Sequence, residues 1–169
     1  TIMVEAKSRQ ENKAKAGEAD QWYLKAVQAQ AFLRYKQHRF QEALADFLIF
    51  ERLAGPSAEL CENMGHTYNT LGMLEEAEKK FKESLALMDR PEAPAKSRSN
   101  RGGVLLGLGL VKDRRGQTQE GLESLEEALK FYRGRFKGSK HSLVAKTLMS
   151  IGHAQQKLMR LKKAEQSFE

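Results

Sequence analysis

Thr67-Tyr68-Asn69-Thr70-Leu71-Gly72-Met73-Leu74-Glu75-Glu76-Ala77-Glu78-Lys79-Lys80-Phe81 decides how this chain is read, because weaker copies recur on both sides. Upstream stands Tyr35-Lys36-Gln37-His38-Arg39-Phe40-Gln41-Glu42-Ala43-Leu44-Ala45-Asp46-Phe47. Downstream stands Leu158-Met159-Arg160-Leu161-Lys162-Lys163-Ala164-Glu165-Gln166-Ser167-Phe168. Ala43 and Ala77 are 34 residues apart, as are Phe47 and Phe81. A fixed period of this size belongs to stacked units rather than one closed core, and it turns attention from catalytic groups to an extended surface.

Each unit reads as a helix, a turn and a second helix. In residues 57–90, Leu60, Cys61, Met64, Gly65, Tyr68 and Leu71 make the first apolar face. Gly72 supplies the turn, and Leu74, Ala77, Phe81 and Leu85 stripe the second helix until Pro91-Glu92-Ala93-Pro94 ends it. Residues 22–56 repeat this with Leu24, Val27, Ala31, Leu33 and Tyr35, a break at Gln37-His38, then Phe40, Ala43, Leu44, Phe47 and Phe50. Gly55-Pro56-Ser57 closes that unit with turn residues and a cap for the next helix.

Residues 95–133 carry Val104, Leu105, Leu108, Gly109 and Val111, turn at Gly116, and continue with Gly121, Leu122, Leu125, Ala128 and Leu129. Residues 139–169 offer Leu143, Val144, Thr147, Leu148, Ile151, Gly152 and Leu158, then a turn expected at Met159 before Leu161, Ala164 and Phe168. This last repeat stops mid-helix, as a fragment of a longer array would. Residues 1–20, polar and alanine-rich, read as a helical extension or the end of a preceding repeat. The period also lengthens: Gly65 to Gly109 is 44 residues and Gly109 to Gly152 is 43, which places extra residues around 90–100 and 132–142.

Of the 169 residues, 30% are charged, 40% are hydrophobic and only three are proline, a balance that suits a soluble, helix-rich protein. No apolar run approaches the roughly 20 residues needed to span a bilayer, and Thr1-Ile2-Met3-Val4-Glu5-Ala6-Lys7 lacks the apolar centre of a secretory signal. The single cysteine, Cys61, excludes an internal disulfide and fits a reducing, cytoplasmic setting. The net charge of +7 is uneven: Lys130 to Lys163 holds ten basic residues and no acidic one. Such a half attracts acidic protein segments, nucleic acid or anionic membrane through its summed field, unless it is only a solvated face.

With Gly65, Tyr68, Gly72, Leu74, Ala77, Phe81 and Leu85 in the second unit, the chain resembles the tetratricopeptide repeats from about residue 22 to 169. Ala31, Phe40, Ala43 and Phe47 fit in the first unit, with His38 at the turn glycine's place. Gly109, Gly116 and Ala128 fit in the third, where Gly121 and Leu125 stand for the family's alanine and aromatic. Gly152, Ala164 and Phe168 fit in the fourth. The longer later spacing is similar to that of kinesin light chains, which hints at adaptor or cytoskeletal roles. The resemblance implies an all-α, right-handed superhelix of stacked antiparallel helix pairs, in which small residues admit close helix approach and aromatics fill the gaps.

It also implies an interaction module or scaffold rather than an enzyme, holding a protein or peptide segment of acidic or partly apolar character in a groove. By register, that groove takes Lys25, Gln28 and Phe32 from the first unit and Glu62, Asn63, His66 and Asn69 from the second. Leu106, Leu110, Asp113 and Arg114 come from the third, and Met149, Ser150, His153 and Lys157 from the fourth. Some family members clamp a peptide carboxylate with lysines, asparagines and an arginine. Asn63 matches one clamp position, but Gln28, Phe32, Gly103 and Gly107 stand at the others, so that clamp is incomplete here.

Other chemistry finds little support. His38, His66, His141, His153 and Cys61 show no metal-ligand spacing, so no metal or cofactor is expected. Cys61 falls on an apolar stripe and reads as core. Gly134-Arg135-Phe136-Lys137-Gly138-Ser139-Lys140 has three residues between its glycines and Ser before Lys, which is not the phosphate-loop order. Gly102-Gly103 and Gly107-Leu108-Gly109 lack the dinucleotide fingerprint and read as close packing. Two rival functions stay open. One is RNA or another polyanion at a basic patch of Lys130, Arg133, Arg135, Lys137 and Lys140, with Phe131, Tyr132 and Phe136 interleaved for stacking. The other is a structural subunit that assembles a larger complex through the array's edges.

Overall fold

A computed structural model describes residues 20–136 and 141–168, with side chains described as far as residue 161. Lys137, Lys140 and the expected extension at 1–20 therefore lie outside the described residues, apart from Asp20. All regular structure among the described residues is helical. Helix α1 is described from residue 20 to 36. It is followed by α2 (Phe40–Ala54), α3 (Ala58–Thr70), α4 (Leu74–Met88), the single turn α5 (Ala95–Arg98), α6 (Arg101–Arg114), α7 (Thr118–Arg135) and α8 (Ser142–Phe168). The chain divides into two compact units, residues 1–56 and 57–169.

In the first unit, α1 and α2 meet through side chains at the expected positions. Ala31, Ala43 and Phe47 are fully buried, and the Phe32 ring stands edge-on to Phe47 at 5.7 Å. Arg34 donates to both carboxylate oxygens of buried Asp46 at 2.7 Å. The break at Gln37-His38 forms where the pattern places it. His38 adopts φ +61°, the conformation that Gly72 (+78°) and Gly116 (+85°) take at the corresponding turns. Left-handed backbone presses a Cβ against the neighbouring carbonyl, which explains the glycines. At His38 the ring packs edge-on to Phe40 at 5.6 Å.

In the second unit, α3 pairs with α4 and α6 with α7, while α4 packs on α6 and α7 on α8. Ser57 caps α3, accepting from the Leu60 amide at 3.2 Å, and Ser84 ties α4 back to the Ala58 carbonyl at 2.7 Å. The Phe81 ring is the wedge between pairs. A Cβ on Gly65 of α3 would come within 2.8 Å of it, and one on Gly107 of α6 within 2.6 Å. At Gly109 a Cβ would meet the Gly121 carbonyl at 2.9 Å, so α6 and α7 touch nearly backbone to backbone. Leu105, Leu106, Leu122, Leu125, Ala128, Tyr132, Val144, Ile151 and Ala154 form the core of this half of the unit.

The fourth repeat differs from its expected form. No turn interrupts α8 at Met159; the helix runs unbroken from Ser142 to Phe168. Gln155 to Lys163 is made of strong helix formers and holds no residue at ease in left-handed backbone. Gly152 consequently lies at no close approach: a Cβ there would meet nothing within 4 Å. Glycine-to-alanine substitutions should then have opposite signs at two sites. Gly72→Ala should lower the unfolding free energy by about 1 kcal/mol through turn strain. Gly152→Ala should raise it by about 1 kcal/mol through helix propensity. Urea titrations of the two variants check this, and equal signs would contradict the assignment of turn and helix.

Candidate functional site

The first helices of successive pairs, α3, α6 and α8, share one face of the second unit, and polar contacts between them fix its surface. Arg114 at the end of α6 reaches back to Asn69 on α3, donating to its carbonyl at 2.7 Å and to its side-chain oxygen. Lys157 on α8 does the same to Asp113, at 2.7 Å to the carbonyl and 2.9 Å to the carboxylate. These contacts span 45 and 44 residues, one lengthened period each. Four residues expected to greet a ligand thus join helix to helix.

The other expected groove residues divide. Glu62 and Leu106 are 8% and 5% exposed, and Leu106 belongs to the core rather than to a groove wall. Leu110 packs against the same core. His66 is half-buried with its ring edge-on to Phe81 at 4.9 Å. Asn63 is half-buried and lines the cavity described below, Met149 is 65% exposed and His153 is exposed. Ser150 donates to the Lys146 carbonyl in its own helix. Lys25, Gln28 and Phe32 lie on α1 in the first unit, where Lys25 stands 5.3 Å over the Trp22 ring.

Two carboxylates held by cations report on the electrostatics. Glu78, 5% exposed, meets Lys82 at 2.6 Å and also Arg115. Burial alone would raise its pKa, but the two cations outweigh it and hold the group below its ordinary 4.5. Asp113 behaves alike: burial opposes ionisation, Lys157 overrides it, and the pKa lies below 3.8. A folded pKa below the unfolded one gives stability that is fully present above the unfolded value and lost as pH falls through the folded one. Unfolding free energy should therefore decline as pH drops below 4.5. Glu78→Gln should flatten that acid limb; a pH series of urea melts with an unchanged slope would refute the role given to Glu78.

A cavity of about 380 Å³ opens at one end of the shared face. Glu59, Glu62 and Asn63 of α3 form one wall, and Met88 closes the side next to α4. Lys96, Ser97, Ser99 and Asn100 form another wall, with Tyr132, Arg135, Phe136 and Leu143 opposite. Asn100 donates its amide to Glu62 at 2.6 Å. Arg135 donates to the Ser99 carbonyl at 2.7 Å and lies 5.9 Å over the Phe136 ring. Burial, with the Glu62 charge adding to it, raises the Tyr132 phenol above 10.

The walls other than α3 come largely from the residues that lengthen the period. None of Lys96, Ser97, Ser99, Asn100, Tyr132 or Phe136 stood among the expected groove residues. The signal that could have found them is the change from 34 to 44 residues, since inserted segments in repeats collect on one face.

The basic patch is partly absorbed into structure. Arg135 is engaged as described, whereas Lys130 and Arg133 are exposed and pair with no described residue. Tyr132 is 4% exposed, and Phe131 packs against the same core. Phe136 stacks on His141 at 3.6 Å. The rings expected to stack on bases are therefore already in contact with protein.

Residues 58–87 match the tetratricopeptide repeat family model. No curated protein sequence matches the chain. Among solved structures, PcrH in complex with the chaperone binding region of PopD is 16% identical with a TM-score of 0.65, covering 79% of this chain and 92% of that one; PcrH itself is from Pseudomonas aeruginosa. The Arabidopsis OM64 TPR domain is 12% identical with a TM-score of 0.63, covering 81% and 98%. Nearly identical TPR-like repeats named for a putative kinesin light chain of Podospora anserina are 17% identical with a TM-score of 0.60, covering 85% and 70%. Residues 58–87 are a tetratricopeptide repeat, and the chain has the tetratricopeptide-repeat fold.

Proposed function

We infer that this protein is an interaction module that holds an extended segment of another protein along the α3, α6 and α8 face. The observation that carries this reading is the cavity of about 380 Å³ opening onto that face, within the size range of ligand pockets. In its walls Asn63 offers an amide, Met88 and Leu143 offer apolar surface, and Lys96 and Arg135 offer positive charge. Such a mixture suits a partly apolar segment with acidic residues at its flanks. Two of the similar structures are of PcrH bound to the chaperone binding regions of PopD and PopB, which supports a segment as the kind of ligand. Binding rather than catalysis is the activity proposed. No described helix is long and apolar enough to cross a membrane, and a single, buried cysteine, Cys61, is consistent with a cytoplasmic setting.

Selection of peptides from a random displayed library on the whole chain tests this. Selected peptides should lose about ten-fold or more in affinity with Asn63→Arg or Met149→Glu, which place a charge or bulk on the contact face. The same peptides should bind unchanged to Glu126→Lys, an exposed position on α7. Peptides indifferent to both face variants, or a homopolymeric RNA that binds with steep salt dependence while no peptide is selected, would overturn the reading.

A further inference from the structure

Three carboxylates are buried among the described residues: Asp46, Glu62 and Glu78, at 7%, 8% and 5% exposure. Asp46 is held by Arg34, and Glu78 by Lys82 and Arg115. Glu62 pairs with no lysine or arginine among the described residues. Its partners are the neutral Asn100 amide and the His66 imidazole at 3.8 Å. A buried carboxylate is ordinarily matched by a cation, because the cost of removing it from water is otherwise only partly offset. Glu62 is also the one of the three that lines the cavity.

We propose that the cavity is a receptor for an arginine side chain of the bound segment, with the guanidinium paired to Glu62. This deepens the reading of the face as a peptide-binding surface and rests on it for the source of the arginine. The chemistry favours arginine over lysine. A guanidinium presents a planar fork to both carboxylate oxygens, which a lysine ammonium does not, and Tyr132 and Phe136 form the wall beside it. Met88 and Leu143 are placed for its aliphatic stem.

Lys96 and Arg135 line the same cavity and oppose a second cation. Lys96 is exposed, so water screens it, while Arg135 is held at the Ser99 carbonyl. The Glu62 charge sits deeper, where the local dielectric is lower and its attraction stronger. The two rim cations would meet acidic residues flanking the arginine in the partner. Occupancy thus supplies the cation that its two buried counterparts already possess.

The test separates this pocket from the face as a whole. N-acetyl-arginine methylamide is titrated into the whole chain at millimolar concentration while the Asn100 side-chain amide is followed by NMR. Its citrulline counterpart, nearly isosteric but neutral, is titrated in parallel. Saturable shifts of Asn100 with arginine, and binding weaker by about ten-fold or more with citrulline, are expected because citrulline lacks the charge and puts a carbonyl acceptor where one amino donor stands. Glu62→Gln should abolish that preference and Glu62→Asp should retain part of it.

Should Glu62→Gln fail to fold, the arginine and citrulline comparison on the unaltered protein still decides. Equal binding of the two, no saturable shift, or a preference that survives Glu62→Gln overturns the proposal. If library peptides bind the face but show no arginine enrichment or Glu62 dependence, the pocket assignment fails while the peptide-binding reading stands. If arginine binds the pocket but no peptide is selected, the pocket stands and the peptide reading fails.

Discussion

Ala77→Arg should abolish the cooperative unfolding transition of residues 57–169. Ala77 is fully buried in α4, the helix that packs on both α3 and α6. Arginine there adds six heavy atoms beyond the alanine methyl, more than the filled site can hold without backbone movement, and a charge with no designed partner. Overpacking alone costs about 1–3 kcal/mol, and an uncompensated buried charge about 3–5 kcal/mol more. That sum is comparable with the whole stability of a small domain, about 5–15 kcal/mol. Because neighbouring pairs stabilise each other, losing α4 also removes the support of α6. Ala45 on α2 is exposed, so Ala45→Arg should stay within about 0.5 kcal/mol of the parent protein. Circular-dichroism melts of the two variants measure the contrast, and an unshifted midpoint for Ala77→Arg would refute the placement of α4.

Phe81→Ala should cost about 3–5 kcal/mol, the usual range for emptying a buried ring site. The more specific expectation concerns its neighbours. Phe81 is fully buried with glycines on both sides, Gly65 from its own pair and Gly107 from the next. Gly107→Ala places a methyl 2.6 Å from the ring edge, a contact that a confined ring cannot relieve by moving away. A net loss of about 1–2 kcal/mol should result, overpacking exceeding the gain in helix propensity. In a Phe81→Leu background the same methyl has room, so the cost should shrink and the double-mutant cycle should show about 1 kcal/mol of coupling. Strict additivity would mean that Phe81 is not the wedge between α3 and α6.

These two sites also show what was legible before any coordinates. Ala77, Phe81, Gly65 and Gly109 were read as packing positions from spacing and size alone, and each lies at a buried contact. Cys61 was read as core and is fully buried. The turns at Gln37-His38, Gly72 and Gly116 were placed correctly, and His38 shows that position in the repeat outweighs residue preference. Gly152 is the counterexample. It has the motif's residue, but α8 continues past Met159 and nothing packs against it.

The candidate site was much less legible. Glu62, Asn63 and His66 were named, yet their most informative partner, Asn100, lies 38 residues from Glu62 in a segment that the repeat pattern does not describe. Arg114 and Lys157 looked like free groove cations and are bonded to Asn69 and Asp113. Tyr132 and Phe136 looked like stacking platforms and instead line a cavity wall.

The sequence by itself determined that this protein is built from helix pairs, where most of them turn, and which small and aromatic residues bring them together. Those features follow from spacings of three to four residues and from side-chain size, both of which are local. The tertiary structure decided which charges are occupied and which buried carboxylate, Glu62, pairs with no lysine or arginine among the described residues. It also decided how the residues added to the period enclose a cavity. Pairing between side chains some 40 residues apart depends on where neighbouring repeats place them in space, and a one-dimensional pattern carries no such distance.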